Sequence, residues 1–170
     1  MNKSFINDLT EKLEICTVTG VEVCEQKDVL NKLVENDVLD YFPMISFEKT
    51  NDSTFDVDYS ESKFLNDPAH QGTWILGSDW GDELLFLFII NLKSRGNILY
   101  IDTIEINVDE RGQRLGERIV SIIEDTACDY FDYISASPFD TDAKSFWEHI
   151  GYIEDVNGNM VKDLKKIKRG

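Results

Sequence analysis

The sequence predicts a layered α/β domain. Three observations carry that: hydrophobic periods of two and of three to four alternate along the chain, a strand, loop, helix, strand, helix order fills its second half, and the apolar content suffices for one core. With 170 residues, 42% of them hydrophobic and 11% aromatic, residues 1–170 are expected to form a single domain.

The stretch 4–13 places Phe5, Ile6, Leu9 and Leu13 at helical spacing and predicts a short amphipathic helix. Residues 14–24, rich in Val, Thr and Ile, predict a strand, and 27–39 return to helical spacing through Val29, Leu30, Leu33 and Val38. Segment 48–67 is crowded with Asn, Asp, Ser and Glu and reads as an irregular connection, with at most one short strand around Phe55, Val57 and Tyr59. Strands follow at 73–76 and 83–93; the latter turns at Arg95, Gly96 and Asn97 into a strand at 98–108, an antiparallel hairpin. After Arg111 the period lengthens, with Leu115, Ile119, Ile122, Ile123 and Ala127 on one helical face. A strand at 133–137 ends at Pro138, and Asp140, Thr141 or Asp142 can cap a helix that uses Ala143, Phe146 and Ile150 and closes at Gly151. Residues 152–156 and 159–164, joined at Asn157-Gly158 by a type I′ turn, predict a second hairpin. Because a helix connects strands 98–108 and 133–137, those two are expected to run parallel.

Residues 1–13 mix charge with apolar groups and do not read as a signal peptide, and the longest apolar run, 84–90, is too short to span a bilayer. A soluble, cytoplasmic protein without membrane contact is expected. Cys16, Cys24 and Cys128 have neither metal-ligand nor redox spacing, so no disulfide and no metal is expected. The formal net charge of −16 should repel nucleic acid and could draw in a cationic amine or a basic protein, within a screening length of about 8 Å. Solubility explains the same charge nearly as well.

The sharpest chemical signal is Arg111-Gly112-Gln113-Arg114-Leu115-Gly116, where a strand hands over to a helix. Free amides at a helix start and the helix dipole both favour an anion there, and Arg111, Arg114 and Arg118 concentrate positive charge in an acidic chain. The alternative is an ordinary loop whose arginines pair with Asp109, Glu110 or Glu117. The loop lacks the ending of a Walker phosphate loop and the three spaced glycines of a dinucleotide fingerprint.

Taken together, "IEINVDERGQRLGERIV" and "ASPFDTDAKSFWEHIGYIE" resemble the GNAT family of acyl-CoA-dependent N-acetyltransferases, over residues 98–154. The family's leucine-x-valine strand, R/Q-x-x-G-x-G/A loop and A-x-x-x-Y-x-x-x-G-F helix correspond to Ile104, Ile106, Arg111, Gly116, Ala143, Trp147, Gly151 and Tyr152. The resemblance implies a mixed, mostly antiparallel sheet with a central parallel pair splayed for acyl-CoA and helices on both faces. It implies that 111–116 hold the pyrophosphate of acetyl-CoA, while Ile104 and Ile106 offer backbone groups to the pantetheine and the thioester carbonyl. The wider cofactor set it implies adds Glu105, Gly112, Gln113, Arg114, Leu115, Glu117, Asp140, Ala143, Phe146 and Trp147.

Two residues depart from the family pattern. Arg114 stands at the first loop glycine and keeps the amide while adding a bulky cation. Trp147 stands at the usual general-acid tyrosine, and an indole N–H donates a hydrogen bond without being a usable acid. Tyr152 or water is then left to protonate the departing thiolate, with the amide of Ile106 stabilising the oxyanion. Asp102, at the strand parity of Ile104 and Ile106, is the preferred base over Glu105, which points to the other face. His149 reads as a surface or packing residue; His70, near Trp74 and Trp80, belongs either to a pocket loop or to a loop over the core.

The implied activity is transfer of acetyl from acetyl-CoA to a primary amine, on a small molecule or a peptide. The rival is an acyl-CoA-binding regulatory or interaction module with little transferase activity. A third reading, resting on charge alone, is an acidic interaction protein that merely retains the fold. The acceptor's determinants are expected in 27–82, and the oligomeric state is left open, a homodimer being one option.

Overall fold

The structure is a computed structural model that describes residues 1–17, 19–43, 72–80 and 84–167. The stretch 48–67 and His70 lie outside the described residues. Helix α1 (Lys3–Thr17) buries Phe5, Ile6, Leu9 and Leu13, as the spacing predicts. It also takes residues 14–17, which the sequence assigned to a strand, so β1 is only Gly20–Cys24. Ile15 is 69% exposed, which shows why β propensity lost: the helix continues past its last core contact without placing Ile15 in any core.

Helix α2 is Gln26–Glu35, shorter than the expected 27–39. Asp37 turns to φ 55, Val38 N–H donates to the Leu33 carbonyl at 2.9 Å, and a 3-10 turn follows at Leu39–Tyr41. Strands β2 (Thr73–Trp80), β3 (Leu84–Arg95) and β4 (Ile98–Ile106) form an antiparallel meander. A 3-10 turn at Val108–Glu110 precedes α3 (Leu115–Ala127), then come β5 (Tyr133–Ala136), α4 (Thr141–His149), β6 (Ile153–Glu154), β7 (Met160–Asp163) and α5 (Leu164–Ile167).

Among the described residues seven strands make one sheet in the order β1-β2-β3-β4-β5-β7-β6, with β4 and β5 parallel and every other pair antiparallel. One core lies under α1 and α3, where Phe5 meets Phe131 edge-on at 5.2 Å; the other gathers Val29, Leu33 and Phe42 over Trp74, Leu76, Phe86 and Ile89. Trp74 is therefore a core residue and not a pocket aromatic. At Gly77 the Phe88 ring lies so close that an added Cβ would stand 2.1 Å from it, and Phe88 faces Ile106 across the next strand pair.

Two sequence expectations fail locally. In the last hairpin Gly158 has φ 83 but Asn157 is not left-handed, so the turn is not type I′. Asp155 builds it instead, its carboxylate accepting from the amides of Asn157 at 2.8 Å and Asn159 at 3.0 Å. In β4 the register jumps from Leu92 opposite Ile101 to Asn91 opposite Thr103, leaving Asp102 as a bulge. The bulge inverts parity, placing Ile101 and Ile104 on the same face opposite Leu92 and Ile90, so Asp102 does not share the face of Ile104 as alternation suggested.

Candidate functional site

The site begins where two parallel strands part. β4 pairs with β5 from Ile98 opposite Tyr133 to Ile101 opposite Ala136, and then β4 runs on to Ile106 with no strand partner on that side among the described residues. Asn107 fixes the end of β4 on β3: its N–H donates to the Leu87 carbonyl and its Nδ2 to the Phe86 carbonyl, each at 2.9 Å. Successive backbone groups of a strand point to opposite edges, so the N–H groups of Ile104 and Ile106 point into the gap. Asn107 is fully buried, and its Oδ1 also accepts from Asp109 N at 2.9 Å, which starts the 3-10 turn. The sequence reading passed over this residue; an Asn closing a strand before a turn was the available signal.

The gap opens into a cavity of about 650 Å³. Of the residues singled out from sequence, Asp102, Ile104, Glu105, Ile106, Arg111, Gly116, Asp140, Ala143, Phe146 and Trp147 line it. Gly112, Gln113, Arg114, Leu115 and Glu117 are not among the lining and belong to the loop and first turn beside Gly116. Thr103, Ser137, Pro138, Phe139 and Asp142 also line it; the sequence reading placed none of them in a site, naming Pro138 only as a strand end and Asp142 only as a candidate helix cap. Their signal was topological: parallel strands joined by a helix must bring the carboxyl end of β5, and the loop after it, beside the carboxyl end of β4.

Arg114, the residue before helix α3, has left-handed dihedrals (φ 59, ψ 20) and makes no side-chain cap. The first-turn amides of Leu115, Gly116 and Glu117 have no partner within the helix. A Cβ at Gly116 would stand 3.6 Å from Ile106 Cγ1 and 3.8 Å from the Phe146 ring, so the bare glycine brings this backbone to the cavity wall. The three arginines are engaged elsewhere. Arg111 Nε donates to the Ile106 carbonyl at 3.1 Å and its Nη2 lies 3.7 Å from the buried Glu105 carboxylate. Arg114 clasps Glu117, which holds the guanidinium above its usual range, and Arg118 donates to the Cys16 carbonyl at 3.4 Å. Of the three, Arg114 alone makes the pairing that the alternative reading described; Arg111 and Arg118 turn instead to Glu105 with the Ile106 carbonyl and to the Cys16 carbonyl.

On the opposite wall, Asp140 caps α4, its Oδ1 accepting from Ala143 N at 2.8 Å. Trp147 is buried and lines the cavity, meeting Phe146 edge-on at 5.2 Å. Asp102 lies in the wall, ion-paired with Lys93. His149 is exposed, 3.7 Å from Glu117.

Tyr152 does not reach the cavity. Gly151, at φ 90, ends α4 with Gly151 N–H donating to Glu148 and Tyr152 N–H to Trp147, both at 3.0 Å. That closure sets residue 152 against the residue five before it, and the two rings meet at 4.8 Å. Burial pushes the Tyr152 phenol well above its usual range, and the Glu124 carboxylate beside it adds to the shift.

No protein-family model matches the sequence, and no curated protein matches it. Solved structures do. An acetyltransferase of the GNAT family from Staphylococcus aureus Mu50 is 15% identical, with 85% of this chain and 99% of that one covered at a TM-score of 0.56. A tyrosine-to-phenylalanine mutant of KacT is 12% identical over 88% of this chain and 98% of its own, at 0.52. AtaTR bound with AcCoA is 13% identical over 57% of this chain and 73% of its own, at 0.50. Such identities speak for architecture alone. With its parallel pair parting inside a mostly antiparallel sheet, the chain has the fold of the GNAT acetyltransferases.

Proposed function

We propose that the chain is an acetyl-CoA-dependent N-acetyltransferase acting on a primary amine. The observation that carries this is the parting of β4 and β5 after Ile101 and Ala136, which turns the Ile104 and Ile106 amides into a cavity that ends at the uncapped start of α3. Amides of the 112–117 loop and first turn hold the diphosphate of the acyl donor, and Ile104 pairs its backbone with the pantetheine arm. Ile106 N–H donates to the thioester carbonyl oxygen as it becomes an oxyanion. The amine nitrogen bonds to the carbonyl carbon, the carbon–sulfur bond breaks, and the thiolate takes a proton from water. The amine's proton passes to Asp102, whose place in the wall puts a carboxylate beside the gap. Among the described lining residues, four carboxylates (Asp102, Glu105, Asp140 and Asp142) face one cation, Arg111, a balance that suits an ammonium acceptor.

The second reading is an acyl-CoA-binding module with little transferase activity. It is favoured by one observation: Trp147 lines the cavity where an acid is useful, and Tyr152 stands outside it. Thiol release from acetyl-CoA, measured with small amines, peptides and protein N-termini, separates the two. Acceleration by any amine supports the transferase; binding of acetyl-CoA with no acceleration across the panel supports the module.

A further inference from the structure

Glu117 bridges two elements beside the cavity. One of its oxygens takes both Nε and Nη2 of Arg114, at 2.9 and 2.7 Å, and the other stands 3.7 Å from His149 Nε2 on α4. The carboxylate belongs to the first turn of α3, the turn whose amides point at any anion held there. A carboxylate in that position stabilises the helix and opposes a second anion at the same amides. Arg114 cancels that opposition with a planar, two-pronged contact, and does so from a left-handed backbone that a glycine would adopt at less cost.

We infer that Arg114 and Glu117 form a compensated pair that sets the affinity for the donor's diphosphate: Glu117 opposes it, and Arg114 acts through Glu117 by screening that opposition. The pair therefore discriminates between acyl donors by their diphosphate and is indifferent to the pantetheine arm. This rests on the acyl-CoA reading above. Arg114 is a positioning residue here, which distinguishes it from a direct phosphate ligand.

The test is calorimetric titration of CoA and of pantetheine, which lacks the diphosphate, into the intact chain at low and high salt. Glu117→Gln is expected to tighten CoA by roughly three- to tenfold and Arg114→Gly to weaken it by a similar factor, both effects shrinking with salt. In the Glu117→Gln background, Arg114→Gly is expected to leave CoA affinity at or above that of the unmodified chain. Pantetheine binding should not respond to any of these changes. Because glycine suits the left-handed backbone and Gln keeps the size of Glu, a single cooperative denaturation transition confirms that each variant folds. An unchanged or weaker CoA affinity in Glu117→Gln would overturn the inference, as would an equal loss from Arg114→Gly in both backgrounds. If the unmodified chain binds no CoA, the acyl-CoA reading fails first and takes this inference with it.

Discussion

Tyr152 packs its ring on the indole of Trp147, centroids 4.8 Å apart at 62°, and of the two the indole alone lines the cavity. The contact follows from how α4 ends: the chain reverses at Gly151 and returns residue 152 to the last turn of the helix. Tyr152→Phe is therefore expected to leave the rate of acetyl transfer nearly unchanged. A loss of roughly a hundredfold or more, the usual cost of removing a general acid, would put the phenol in the chemistry. Trp147→Tyr should do the opposite, raising kcat by about tenfold or more by bringing a phenol to the wall. Steady-state thiol release on both variants decides the matter.

Asn107 ties the end of β4 to β3 with two donors, and its side-chain oxygen and backbone carbonyl accept from Asp109 and Glu110 to start the next turn. Asn107→Ala strands the Phe86 carbonyl in a buried position and is expected to cost about 2–3 kcal/mol in urea denaturation. Donor binding should weaken as well, because the same side chain aims the Ile106 amide at the gap. A variant that loses stability and keeps its acetyl-CoA affinity would separate Asn107 from the site.

Gly116 tests the cradle without disturbing the fold. An alanine Cβ would meet Ile106 and Phe146 at ordinary contact distances, so Gly116→Ala should fold and gain roughly 0.5–1 kcal/mol from helix propensity. Its methyl occupies the wall where the backbone faces the cavity, so acetyl-CoA affinity should fall while stability rises. Gly116→Trp should abolish binding in a chain that still folds. Calorimetry beside thermal denaturation reads both quantities, and unchanged affinity in either variant would place the donor elsewhere.

Much of this was legible because local pattern and tertiary role coincided. The apolar face of α3, the parallel relation of β4 and β5 and a helix cap among Asp140, Thr141 and Asp142 each follow from spacing or residue chemistry alone, and the structure selects Asp140 for the cap. What was not legible depended on a partner. The bulge at Asp102 exists only in the register with β3, and it reversed the parity on which Asp102 and Ile104 had been placed together. The arginines of the loop read as phosphate charges until the positions of Ile106, Glu117 and Cys16 showed where each guanidinium goes. Asn157-Gly158 suggested a two-residue turn, and the Asp155 carboxylate two residues earlier imposed another.

That carboxylate gives the fold a pH-dependent latch. The Asn159 amide, then that of Asn157, holds Asp155 below its usual range, so its contribution is present above the ordinary carboxylate value near about 3.9 and is lost as pH falls through the lowered one. Asp155→Asn removes the titrating group and keeps an acceptor oxygen. The unmodified chain should be the more stable of the two at neutral pH, and the gap should close as the solution is taken below the ordinary carboxylate range. Urea denaturation at neutral pH and at several acidic values measures that gap. A gap that stays constant would mean that Asp155 keeps its proton affinity on folding, and that the turn is held by Gly158 and the Asp155–Asn159 backbone pair alone.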